Sequence, residues 1–125
     1  MPEVSNPTTL IDGEGNLLLP GPVQQADIDA TASGNTQVVA AVSGLKIRVV
    51  SVLVTNKATT KRTVKFQRAS TDITASHMVA ANGGGYSRDA LPGGWLFETN
   101  AGEALNINLD ASGNNGCDVS YQEVQ

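Results

Sequence analysis

The run LKIRVVSVLVT at residues 45–55 constrains the fold most strongly, because six of its eleven residues are β-branched. Leu45, Ile47 and Val49 share one parity of the strand, whereas Val50, Val52 and Val54 follow the other parity and Leu53 keeps the first face partly apolar. Side chains on a strand alternate between its two faces, so this switch requires a β-bulge or burial on both faces. The pattern predicts a central sandwich strand, exposed on one face at its start and covered on both faces later.

Turn-forming residues recur about every ten residues between short alternating segments, and no segment keeps the 3.6-residue period of a helix. Ser43-Gly44 is typical of a two-residue hairpin, and the glycines at 83–85 and 93–94 predict a long irregular loop. The fold class is therefore predicted as all-β, an antiparallel β-sandwich or jelly roll of about eight strands. The predicted strands are 26–32, 36–42, 45–55, 63–69, 77–81, 95–99, 104–109 and 117–124.

The predicted core combines the second half of the organising strand with the apolar faces of three later strands. Trp95 and Phe97 share strand parity, so both are expected to lie inside together. The full expected set is Val52, Leu53, Val54, Phe66, Trp95, Phe97, Leu105, Ile107 and Leu109.

Residues 1–25 are predicted to form an extended N-terminal arm, and residues 26–125 the sandwich domain. The arm holds four of the five prolines, and proline cannot donate a ladder hydrogen bond within a central strand. Asp12-Gly13 and Gly15-Asn16 favour a small hairpin within it. Leu17, Leu18 and Leu19 form an apolar patch, which either packs on its own domain or docks on a neighbouring subunit.

Composition excludes several classes of partner and chemistry. The net charge of -4 argues against a surface that binds nucleic acid, and no apolar stretch approaches the roughly 20 residues that cross a membrane. Cys117 is the only cysteine, so an internal disulfide is impossible. The first ten residues lack the basic and apolar regions of a signal peptide, which favours synthesis in a cytosol without export.

No catalytic residue, cofactor or metal site is predicted. His77 is the only histidine, which excludes a two-histidine metal site, and the sequence contains no G-x-S-x-G nucleophile motif. Cys117 has no basic neighbour in sequence and is expected to be a packed small hydrophobe. The glycines at 83–85 lack the Lys-Ser/Thr of a phosphate loop. The spacing of the candidate oxygen ligands, Asp27, Asp29, Asp72, Asp110 and Asp118, matches no calcium loop.

Two residues beside the glycine-rich stretch are candidate contact residues. Tyr86 either anchors a partner or a sugar or packs as an ordinary strand residue. Arg88 next to Asp89 is typical of an interface rim. The predicted subunit or capsid interface therefore comprises Leu17, Leu18, Leu19, Tyr86 and Arg88.

The order of segments from Thr36 to Val124 resembles small virion proteins of tailed bacteriophages. The segments are VVAAVSGLKIRVVSVLV, VKFQ, AANGG, GGWLFETNAGEALNINL and VSYQEV, and they span about ninety residues. The proteins they resemble are β-sandwich decoration, or cement, proteins that sit on the assembled capsid shell. The first 25 residues lie outside this resemblance.

The resemblance implies a structural protein without enzymatic residues, made in the host cytoplasm and located on the capsid surface of the virion. Its expected partners are the major capsid protein and copies of itself, most simply as a homotrimer, with no nucleic acid and no membrane. Similar folds occur in phage tails and fibres, so the alternative is a carbohydrate- or receptor-binding module that uses Tyr86 and the glycine-rich stretch.

Overall fold

A computed structural model describes residues 21–125, which form ten strands and no helix, and the predicted antiparallel β-sandwich is confirmed. The first strand begins at Gln24, two residues before the predicted start of the sandwich. The arm residues Leu17–Leu19 lie outside the described residues. The strands are β1 (Gln24–Ala30), β2 (Gly34–Val39), β3 (Lys46–Asn56), β4 (Arg62–Arg68), β5 (Thr71–Asp72), β6 (His77–Val79), β7 (Gly84–Asp89), β8 (Phe97–Glu98), β9 (Leu105–Leu109) and β10 (Asn115–Val124).

The strands divide into two five-stranded antiparallel sheets. The first sheet has the order β1-β10-β3-β7, with β8 also paired to β3. The second has the order β2-β9-β4-β5, with β6 also paired to β4. Because β2 and β3 belong to different sheets, Ser43-Gly44 carries the chain from one sheet to the other, and the predicted hairpin at this point is wrong.

The strand β3 is central, as predicted, and its change of parity is a β-bulge. Ser51 pairs with Ser120 and Val49 pairs with Tyr121, which leaves Val50 as the extra residue of β3. Ile47 and Val49 therefore face the core before the bulge, and Val52 and Val54 face it afterwards. The prediction that the second half is covered on both faces is wrong, because Leu53 is 42% exposed on the outer face.

The core fills the space between the inner faces of the two sheets. Phe66 of the second sheet meets Phe97 of the first, with ring centroids 5.4 Å apart and planes inclined at 34°. The expected core is confirmed except for Leu53 and Trp95, which is 45% exposed. Trp95 precedes the two-residue strand β8, so its parity with Phe97 does not fix the direction of its side chain.

The strand β7 was predicted as loop, and its sequence explains why. Asn82 (φ 55°) and Gly83 (φ 99°) turn the chain after β6, and Gly83 N–H donates to the Asn56 carbonyl at 2.7 Å. A Cβ at Gly84 would collide with the Ala80 carbonyl, so only glycine fits this close backbone approach. The glycines thus permit the strand to form, and pairing with β3 holds it.

Candidate interaction surface

The predicted contact residues Tyr86 and Arg88 both lie on β7, at one edge of the first sheet. Arg88 is exposed and pairs with Val52 of β3. Tyr86 is half-buried against the core, and its ring stacks on His77 of β6 with centroids 4.5 Å apart. One face of the Tyr86 ring is therefore covered by a residue of the second sheet. Their predicted interface role stays a prediction, as does that of Leu17–Leu19.

The outer face of the first sheet carries an open groove of about 440 Å³ with a mixed polar and apolar lining, which we call the outer groove. It crosses the strands from β1 to the loop after β7. Leu91 and Val23, which lie at its opposite ends, are 83% and 59% exposed. The outer groove is lined by Val23, Val50, Ser51, residues 89–94, Ser120 and Gln122.

The bulge in β3 places Leu91 in this groove. The extra residue, Val50, interrupts the regular hydrogen bonding between β3 and β10. Its carbonyl accepts a hydrogen bond from Ala90 N–H at 2.8 Å. The Val49 carbonyl accepts one from Leu96 N–H, also at 2.8 Å. Both ends of the loop 90–96 are therefore tied to β3 beside the bulge.

A tight turn inside this loop points Leu91 outward. Gly94 N–H donates to the Leu91 carbonyl at 2.8 Å, and Gly93 has φ of 78°. Proline at the second position and a positive-φ glycine at the third are the signature of a type II turn. Leu91 is thus held on a short, well-bonded turn.

Trp95 extends the apolar surface beyond the outer groove. The Arg48 guanidinium carbon lies 4.8 Å from the centroid of the Trp95 ring, within the range of a cation–π contact. Arg48 Nε also lies 3.0 Å from Glu98 Oε2. Gln122, the cross-strand partner of Arg48, lines the outer groove. Trp95 therefore lies on the same outer face, and not in the core.

Leu53 lies in an adjoining hollow of about 390 Å³. This hollow shares Ser51, Asp89 and Ser120 with the outer groove. The cross-strand partners of Leu53 are Asp118 and Ser87, both exposed and polar. Leu53 is thus a single apolar residue at the polar margin of the surface.

The outer face of the second sheet is different in kind. Asn108 Nδ2 donates to Asn35 Oδ1 at 2.7 Å, and Asn106 Nδ2 donates to the Ala69 carbonyl at 2.6 Å. Lys65 Nζ lies 3.1 Å from Asp72 Oδ1. These side chains bond to neighbouring side chains or to the backbone, so this face offers polar groups that are already partnered. The apolar candidate surface belongs to the first sheet.

Sequence reasoning missed Val23, Val50 and Leu91 as surface residues. Val23 lies before the first predicted strand. Val50 was assigned to the same alternating apolar set as Val52 and Val54, and Leu91 was assigned to a predicted loop. One available signal was the sequence Leu91-Pro92-Gly93, because a large apolar residue at the start of a proline–glycine turn has no strand face on which to be buried.

Acidic side chains cluster at the far end of the same sheet face. Asp27 of β1 pairs directly with Asp118 of β10, and Lys57 Nζ lies 3.8 Å from Asp29 Oδ1. Desolvation, then the hydrogen bond that the protonated Asp118 carboxyl donates to Asp27 and the charges of Asp27 and Asp29, raises the pKa of Asp118. Within residues 21–125, no three His, Cys, Asp or Glu side chains are placed to hold a metal ion together.

Asp118→Asn is expected to raise stability at neutral pH, because like charges opposed on neighbouring strands destabilise by about 0.2–1 kcal/mol. Because Asp27 and Asp118 are both exposed, we expect their repulsion to lie at the low end of that range. A carboxyl with a raised pKa contributes stability at low pH and loses it as the pH rises through that pKa. The advantage of the variant should therefore vanish in acid. Urea unfolding across the acid-to-neutral range tests this, and an equal advantage at all pH values would contradict it.

The two remaining candidate groups for chemistry, Cys117 and His77, lie in packed positions. Cys117 is fully buried in the core, as predicted for a packed hydrophobe. Burial, followed by the charges of Asp118 and Asp27, raises the pKa of its thiol to about 12. His77 is half-buried on β6 beneath the Tyr86 ring. Across residues 21–125 there is no helix long and apolar enough to span a membrane.

The Cys117 thiol is expected to resist thiol reagents in the folded protein at pH 8 and to react at once in denaturant. The raised pKa means that the fold favours the neutral thiol, since only the thiolate is nucleophilic. The preference for the neutral thiol also stabilises the folded protein. This stabilisation is complete at pH 8 and declines as the pH rises from 9 toward 12. A chromogenic disulfide reagent measures the rate. Rapid labelling of the native protein would contradict the prediction.

No family model and no curated protein matches this sequence. Several solved structures show a weak structural similarity to this chain. PirA is 17% identical, with 78% of this chain and 92% of that chain covered and a TM-score of 0.43. A chain of the virus-like particle of extra small virus, from the giant freshwater prawn Macrobrachium rosenbergii, is 15% identical, with coverage of 98% and 86% and a TM-score of 0.40.

A third solved structure contains the CBM22-1 and GH10 modules of xylanase 10B from Clostridium thermocellum, complexed with xylohexaose. It is 11% identical, with 81% of this chain and 26% of that chain covered and a TM-score of 0.30. At these identities and TM-scores, the similarities assign neither a family nor a function to this chain.

Proposed function

We propose that this chain is a structural virion protein of a tailed bacteriophage, which binds the outer surface of the capsid shell as a decoration protein. It acts by binding and not by catalysis. Its partners are the major capsid protein and copies of itself, arranged as a homotrimer, and it is made in the host cytoplasm. The sequence resemblance over Thr36–Val124 motivates this proposal.

The observation that carries the proposal is the outer groove. It places the exposed side chains of Val23 and Leu91 and the half-buried side chain of Val50 on one face of the sandwich. Contiguous apolar surface on a soluble domain marks an interaction site, since its hydration is unfavourable. A second apolar segment, Leu17–Leu19, precedes this groove in sequence. A small sandwich with an apolar receiving surface and an apolar arm suits assembly into a closed ring, in which each copy contacts the next.

Binding to capsid shells from which the protein has been removed tests the proposal. We expect saturable binding at a fixed number of copies per shell, and a higher temperature of shell disruption once the sites are filled. Binding that does not saturate, or shells that are no more stable with the protein bound, would overturn it. Saturable binding to a glycan without binding to shells would favour the tail or fibre module instead.

A further inference from the structure

Three buried polar side chains, Asn56, Arg62 and Asn115, lie at one end of the core, and we call them the polar layer. We propose that the polar layer binds a buried water molecule, which accepts a hydrogen bond from Arg62 Nε–H and donates one to Asn115 Oδ1. The polar layer shares no residue with the outer groove, so its test is independent of shell binding and assembly.

Strand pairing brings the members of the polar layer to the same end of the sandwich. Asn56, the last residue of β3, is the cross-strand partner of Asn115, the first residue of β10. Both continue the inward-facing parity that Val54 and Cys117 set on these strands. Arg62 begins β4 in the opposite sheet. Asn56 and Asn115 are 0% exposed and Arg62 is 7% exposed, so all three are enclosed between the sheets.

Shared partners show that the polar layer is contiguous. The Thr60 carbonyl accepts hydrogen bonds from Asn56 Nδ2 at 2.9 Å and from Arg62 Nη1 at 3.3 Å. The Gly113 carbonyl accepts one from Asn115 Nδ2 at 3.2 Å. A Cβ at Gly113 would lie 2.9 Å from Arg62 Nε, so this glycine also lies against the guanidinium group. The loops that contain Thr60 and Gly113 therefore connect all three side chains.

Two atoms of the polar layer are left without a protein partner. Arg62 donates through Nη1 to the Lys61 carbonyl at 2.9 Å and through Nη2 to the Ser112 carbonyl. Its Nε atom and Asn115 Oδ1 have no hydrogen-bond partner among residues 21–125, although both atoms are buried. A buried polar atom that remains unpaired is costly, because it has lost its hydrogen bonds to bulk water.

Water matches the chemistry of these two atoms better than an ion does. Arg62 Nε–H is a donor and Asn115 Oδ1 is an acceptor, and one water molecule can accept from the first and donate to the second. A halide ion could accept from Arg62 Nε–H but has no proton to donate to Asn115 Oδ1. A metal cation could bind Asn115 Oδ1, but the guanidinium charge would repel it. Buried waters typically make about three hydrogen bonds to groups of this kind.

A crystal structure of the full chain, at a resolution that shows individual waters, tests this proposal. We expect a water within about 3.2 Å of both Arg62 Nε and Asn115 Oδ1. Crystals grown in bromide instead of chloride distinguish water from a halide ion, because bromide gives an anomalous signal at its absorption edge. A bromide peak at this position, a direct hydrogen bond between Arg62 and Asn115, or no density between them would each overturn the proposal.

Nuclear magnetic resonance tests the same site in solution. In the wild-type protein, the Arg62 Nε proton should show a nuclear Overhauser effect to the water resonance, with the sign typical of a long-lived internal water. Arg48 is the matched control, because its Nε donates to Glu98 Oε2 at 3.0 Å and should show no such effect. Its absence at Arg62, or an equal effect at both arginines, would contradict the proposal.

Asn115→Leu removes the acceptor and keeps a side chain of similar size, so it should abolish the effect at Arg62. An undiminished effect in the folded variant would show that Asn115 does not hold the water. If the variant does not fold, the wild-type comparison of Arg62 with Arg48 decides the question.

Discussion

Phe66→Ala is expected to lower the free energy of unfolding by about 3–5 kcal/mol, as for other buried phenylalanines replaced by alanine. Phe66 is fully buried in the centre of β4, and its ring contacts Phe97 of the opposite sheet. The substitution therefore leaves a cavity between the two sheets, which the paired backbones can collapse only in part. Its cross-strand partner Ile107, also buried in the core, would lose contacts as well.

Urea unfolding monitored by far-UV circular dichroism measures this loss. Met78→Ala provides the matched control, because Met78 is exposed on the strand next to β4, and its removal should change stability by less than about 0.5 kcal/mol. A double-mutant cycle with Phe97→Ala should give a coupling of about 0.5–1.5 kcal/mol for the aromatic pair. A loss below about 1 kcal/mol for Phe66→Ala would mean that the core is not centred on this residue.

The sequence predicted the strands best where alternation was long and uninterrupted. Leu105, Ile107 and Leu109 alternate with two asparagines, and the inner face of β9 follows that pattern. The change of parity in β3 correctly predicted either a bulge or double burial, but the residues alone did not distinguish them. A bulge and burial on both faces differ in whether another segment covers the outer face at Leu53. That depends on segments distant in sequence, so it cannot be predicted from this strand alone.

Two predictions were wrong because tertiary contacts decided the local structure. The glycines before Tyr86 have low strand propensity, yet pairing with β3 makes β7 a strand. Trp95 shares parity with Phe97, but the strand there is only two residues long, and Arg48 gives the indole a partner outside the core.

The outer groove could not be predicted from any single stretch of sequence. Its walls come from the residue before β1, the bulge in β3, the end of β10 and the turn at Leu91. These pieces meet only because β10 pairs between β1 and β3. The sequence predicted a bulge in β3 only as one of two alternatives. The two hydrogen bonds that the carbonyls of Val49 and Val50 accept from the loop 90–96 depend on the position of that loop in the sheet.

Deletion of residues 2–19 is expected to leave a folded sandwich that no longer assembles. All ten strands lie within residues 21–125, and the deletion retains Gly21 with its two hydrogen bonds to β10. The lost residues include three consecutive leucines. Burying one leucine contributes about 1.5–3 kcal/mol, so two that pack against an adjacent copy or the shell would contribute roughly 3–6 kcal/mol. At 1.4 kcal/mol per factor of ten, self-association should weaken by roughly 10²–10⁴-fold.

Sedimentation mass, far-UV circular dichroism and shell binding of the truncated chain test this expectation together. A full-length variant with Leu17, Leu18 and Leu19 all replaced by serine is the matched control, because it keeps the length of the arm and removes only its apolar side chains. If apolar docking drives assembly, the two variants should behave alike, both folded and both unassembled. A truncated chain that keeps its mass and its binding to shells would show that the arm plays no part in assembly. A truncated chain that does not fold would mean that the arm completes its own core, and a serine variant that assembles normally would shift the role from the leucines to the backbone.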